Sequence, residues 1–148
     1  MKFIDFIFEF AYEQKDALAR IEDQIPQLSA HLIKVLIFVD DVNQNHWQKE
    51  ILSYIDIIDN VCDTKTKSGR ISAKTLQKTL KNTMEDRYFE KIIKKLSRDY
   101  DIKLSPVNKV SLFNALREFY ENLFNWLEKD FVDDSEILNL VEKLKLNF

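Results

Sequence analysis

One glycine and two prolines in 148 residues is the feature that most restricts this chain. Sandwiches, barrels and doubly wound sheets need frequent turn residues, and this sequence does not have them. Helices joined by short polar connections remain. Hydrophobic residues make up 45% of the chain, enough for a real core at this length. We therefore expect an all-α fold: one domain over residues 1–148, a bundle of about six or seven helices.

The stretch from Ser105 to Phe131 reads as the longest helix, about which the others pack. Ser105 suits an N-cap, and Pro106 suits the first helical position, where its missing N–H costs nothing. Val110, Leu116, Phe119, Leu123, Trp126 and Leu127 recur at steps of three and four. Phe113, Tyr120, Phe124 and Phe131 widen that face, so neighbours should wrap it.

Earlier in the chain, a first helix is predicted from Phe3 to about Arg20 or Asp23, with Phe3, Ile7, Phe10, Ala11, Leu18 and Ile21 inward. Pro26 is expected to open a second helix reaching Val42, with Leu28, Leu32, Val35, Leu36 and Val39 inward. A third runs from about His46 to Cys62 on Trp47, Ile51, Ile55 and Ile58. Residues 63–70 hold the glycine and no apolar side chain, which marks a loop. A short helix follows Ser72 on Ala73, Leu76 and Leu80. Another covers about Glu85 to Asp99 on Tyr88, Phe89, Ile92, Ile93 and Leu96. Asp133 and Glu136 have capping-box spacing ahead of a last helix on Ile137, Leu138, Val141, Leu144 and Leu146.

The N-terminal apolar stretch is interrupted by Asp5 and Glu9, so it does not read as a signal peptide, and no run approaches a membrane span. A cytoplasmic protein without membrane partners is the expectation. A single cysteine, Cys62, excludes an internal disulfide and a four-cysteine zinc site. His46 and Glu50 stand four apart, but two ligands do not make a metal site. His31 reads as a boundary histidine. There is no phosphate loop, metalloprotease motif or nucleophile elbow. The sequence thus supplies no catalytic set, cofactor or metal.

Charge is the most informative pattern. Residues 1–62 carry 5 basic and 11 acidic side chains, residues 63–103 carry 12 and 6, and residues 104–148 carry 5 and 8. A basic block thus sits between acidic flanks, in a chain of net charge −3. Lys65, Lys67 and Arg70 lie in its loop. Lys74, Lys78 and Lys81 share one face of the next helix, and Arg87, Lys91, Lys94, Lys95 and Arg98 stripe the one after. Clustered cations suit an acidic protein partner or a phosphate backbone. The first expectation is a non-catalytic helical binding protein acting through this charged surface on a protein partner, as an adaptor, inhibitor or immunity-type module. The alternative is nucleic-acid binding by the stripe over 65–98. A homo-oligomer is a further option, since the first and the central helix offer more apolar surface than one bundle needs.

Residues 69–80, GRISAKTLQKTL, and residues 108–119, NKVSLFNALREF, share a pattern of loop, β-branched residue, serine and helix. The pair resembles two degenerate EF-hands over at most half of the chain. Gly69 set on the loop glycine of that family puts Thr64, Thr66 and Ser68 at the first three ligand positions and Thr75 at the last. No carboxylate stands where the family needs several, so the resemblance implies an EF-hand-like module without calcium binding.

Overall fold

The computed structural model describes residues 3–62, 73–82, 84–128 and 133–147, with side chains from residue 16 onward in the first helix. Among the described residues there are six α-helices and no strand. They are α1 (Phe3–Ile37), α2 (Gln44–Val61), α3 (Ala73–Asn82), α4 (Asp86–Tyr100), α5 (Pro106–Glu128) and α6 (Asp134–Asn147). The expected all-α helical bundle is what the chain forms. One hydrophobic cluster draws residues from all six helices.

The two helices expected on either side of Pro26 are one, and α1 is the longest of the set at 35 residues. The reason lies in the register. Ile21, Ile25, Leu28, Leu32 and Leu36 are all buried and step by three or four straight through the proline. Pro26 itself is exposed. It removes one backbone hydrogen bond, but the apolar stripe that crosses it holds both halves on the same core. The inward residues expected at Phe3, Ile7, Phe10 and Ala11 have side chains outside those described.

The end of α1 is tied to the start of α2. A helix leaves its last four carbonyls without partners. The Gln44 side-chain amide donates to the carbonyls of Val35 (3.0 Å) and Phe38 (2.5 Å). Asp41 accepts from the Asn43 N–H at 2.8 Å and turns the chain. Because α1 stops at Ile37, Val39 falls in the turn and is exposed rather than inward. From α2, Trp47, Ile51, Ile55, Ile58 and Val61 are buried, and this helix makes its most extensive packing with α1.

Ser105 caps α5 as expected, its Oγ accepting from the Asn108 N–H at 3.1 Å. Residues 129–132, including Phe131, lie outside the described residues. Eight side chains of α5 are buried, Phe119, Tyr120 and Leu123 among them, and α5 packs on α1, α3 and α6. Val110 is not among them and is 61% exposed. It stands nine residues before Phe119, and nine steps of about 100° place it on the opposite side of the helix. Leu112, unread in the sequence, takes the buried position. Leu146 is exposed by the same arithmetic, nine residues after buried Ile137. Asp133 starts α6, its Oδ1 accepting from the Ser135 N–H at 2.9 Å.

A polar link joins α1 and α5 in the interior. The Tyr120 and Ser29 hydroxyls are hydrogen-bonded, and Tyr120 also donates to the Ile25 carbonyl at 3.3 Å. Burial pushes the phenol well above its usual range, which keeps it neutral. No helix among the described residues is long and apolar enough to cross a membrane.

Candidate functional site

The outer side of α4 is strongly cationic. Arg87, Lys91, Lys94 and Arg98 step by four, three and four, which keeps them on one narrow stripe. Phe89, Ile93 and Leu96 are buried on the opposite side. The same helix therefore anchors by one stripe and presents cations on the other.

α4 ends at Asp101, which adopts a left-handed backbone with φ 52°. A non-glycine residue in that region is uncommon, and aspartate is among those that tolerate it. The turn sends residues 102–105 back along the helix. Ile102 and Leu104 reach the core from this connection. Together with the first turns of α5 they close a groove of about 790 Å³ against α4.

Six cations line the groove: Arg87, Lys91, Lys94 and Arg98 from α4, Lys103 from the connection and Lys109 from α5. One carboxylate, Glu90, accompanies them, in an exposed ion pair with Lys109 at 3.9 Å. Arg87 lies over the Tyr88 ring, 5.8 Å from its centroid. No other lining cation has an ion-pair partner among the described residues. The floor is apolar, built from Ile93, Ile102 and Leu104. Adjacent like charges without counterions raise the local potential, and a low-dielectric floor beneath them focuses it.

The structure thus brings together four of the residues singled out in the sequence and separates the rest. Lys95 is on the same helix but turns to a different cleft, toward α1. Lys74, Lys78 and Lys81 are exposed on α3 and do not line the groove. Lys65, Lys67 and Arg70 lie outside the described residues. Lys103 and Lys109 were missed, since only the reversal at Asp101 sets them opposite α4.

Other candidates are resolved by their surroundings. Cys62 is buried, and desolvation pushes its thiol up to about 12, so it is no nucleophile at neutral pH. His31 Nδ1 donates to the Gln27 carbonyl at 2.8 Å, and its ring stands edge-on to Tyr54. Its pKa is lowered, chiefly by burial. Glu50, four residues from His46, lies near Tyr54, whose pKa is raised chiefly by burial and further by the Glu50 charge. Among the described residues, no group of three or more His, Cys, Asp or Glu is placed to hold a metal. Of the EF-hand-like positions, Thr64, Thr66, Ser68 and Gly69 are outside the described residues, and the Thr75 carbonyl accepts from Thr79 within α3 at 3.0 Å. No protein-family model, curated protein or solved structure matches the chain.

Proposed function

We propose that this is a non-catalytic binding protein that holds an acidic segment of a protein partner in the groove of α4. The observation that carries this reading is the ratio of six cations to one carboxylate around an apolar floor. Carboxylates of a partner would meet the rim, and apolar side chains would fill the floor formed by Ile93, Ile102 and Leu104. From Arg87 to Arg98 the stripe runs for about 16 Å, the length of three turns of a docked helix. A nucleic-acid backbone would use the rim alone. None of the described lining residues is aromatic, so bases would find no stacking surface.

The test is fluorescence anisotropy with the full chain. The probes are a labelled helical peptide alternating Glu and Leu faces, a labelled poly-Glu peptide of equal length, and labelled single- and double-stranded DNA and RNA. The amphipathic acidic peptide should bind with a Kd of about 10 μM or tighter, and poly-Glu at least about tenfold more weakly. Lys91→Glu with Lys94→Glu should weaken the peptide at least about tenfold. Nucleic acid binding more tightly than the peptide, with a steep loss on added salt, would replace this reading with the nucleic-acid one. No binding of any probe at low salt would remove both.

A further inference from the structure

A second cleft lies between α1 and α4, away from the basic groove, with a volume of about 250 Å³. Pro26, Ala30, Ile92 and Leu96 form apolar walls. Its polar end holds Lys34, His31, Tyr100, Lys95 and Asp99.

Lys34 is the unusual member. It stands within the apolar run Leu32–Phe38 and is only 9% exposed. Its ammonium lies 5.3 Å from the centroid of the Tyr100 ring and 5.6 Å from that of Trp47, so two aromatic faces stabilise the cation. Its one hydrogen bond is a long one to the Tyr100 hydroxyl, at 3.5 Å. An ammonium has three donors, and among the described residues one has a partner. No carboxylate among the described residues lies within 4.0 Å of it. Buried charges are ordinarily paired, because an unpaired one keeps its desolvation penalty. The fold therefore holds a cation beneath an open cleft, with no carboxylate of the described residues in ion-pair contact with it.

The neighbours define what would fit. Lys95 and Asp99 bring opposite charges to the mouth, so with Lys34 the polar end carries one net positive charge. Burial lowers the pKa of His31, against the opposing effect of the hydrogen bond that its Nδ1–H gives the Gln27 carbonyl. At about 30 Å³ per water-sized group the volume takes some eight non-hydrogen atoms. We propose that this cleft binds a small monocarboxylate with an apolar body, its carboxylate pairing with Lys34 and its body lying between Pro26, Ala30, Ile92 and Leu96.

Two-dimensional amide NMR of the full chain, titrated with hexanoate, tests this. Hexanoate should shift the amides of Ala30, Lys34, Ile92 and Leu96, with a Kd of about 1 mM or tighter. The neutral isostere hexanamide should bind at least about tenfold more weakly, and inorganic phosphate, a dianion without an apolar body, should not compete. Lys34→Met keeps the apolar stem and should abolish the shifts. Two surface variants guard against a misfolded Lys34→Met: Lys95→Gln should weaken hexanoate, and Asp99→Asn should tighten it. Equal binding of hexanamide, shifts that map elsewhere, no shifts at about 10 mM hexanoate, or Asp99→Asn weakening the ligand would each overturn the proposal.

Discussion

The interior shared by α1, α2 and α5 differs in kind from the rim formed by α4. Ile21, Ile51, Ile55, Ile58 and Phe119 expose no surface, and their neighbours step in register along three long helices. On α4 the three anchors, Phe89, Ile93 and Leu96, each keep about 5% of their surface, Ile92 is half-buried and Tyr88 is exposed. The Phe89 ring meets Phe113 edge-on at 5.3 Å, which adds orientation to a thin contact. The interior is constrained by volume, because close-packed side chains resist the loss of a single methylene. The rim carries charge on one side and a narrow apolar stripe on the other. A surface that must recognise something is easier to build on the second kind of element, where side chains change without disturbing the core.

The largest effect should come from breaking the interior. Phe119→Ala should lower the unfolding free energy by about 3–5 kcal/mol in a urea titration, through lost burial and the cavity left behind. Leu96→Ala on the rim should lose only about 2 kcal/mol, because Leu96 borders an open cleft and the space left there joins it instead of forming a closed cavity. Equal losses at the two positions would mean that α4 belongs to the core as fully as α5 does.

A smaller effect sharpens the comparison at the polar link between α1 and α5. Tyr120→Phe removes the donor to the Ile25 carbonyl and leaves the Ser29 hydroxyl buried without its partner, at a cost of about 1–3 kcal/mol. Adding Ser29→Ala removes that stranded group. The double variant should then be less destabilised than the sum of the two single changes, by about 0.5–3 kcal/mol in the same titration. Strict additivity would show that the two hydroxyls do not depend on each other.

How much of this was legible in the sequence follows the same division. The helices, their buried stripes and the Ser105 cap were readable, because they depend on periodicity and local chemistry. Pro26 misled because proline is a common first-turn residue, although the step from Ile21 to Ile25 to Leu28 already carried the stripe across it. Val110 lies on the opposite side of α5 from Phe119, a placement that follows from the nine-residue separation and not from local spacing. The cationic stripe of α4 was readable as four residues on one face. Lys95, four residues from Lys91, reads as part of that stripe, while in the fold it lines the cleft toward α1. Lys103 and Lys109 were not readable, since their place depends on the backbone reversal at Asp101. Lys34 gave a signal that was passed over, a lone charge inside an apolar run.

The smallest expected effect is the most decisive for the rim. Lys91→Glu combined with Lys94→Glu should leave the unfolding free energy within about 0.5 kcal/mol of the native chain at moderate salt. Both side chains are exposed, and neither has an ion-pair partner among the described residues, so no stabilising contact is lost. Reversal also relieves repulsion along a stripe where like charges stand three and four residues apart, which offsets any loss of helix preference. Chemical denaturation with and without about 0.5 M salt checks this, because screening should shrink whatever difference remains. A loss well above 1 kcal/mol would mean that the acidic flanks of the chain already neutralise the stripe within the fold. The groove would then be part of the protein's own charge balance, and its cations would not be free to meet a partner.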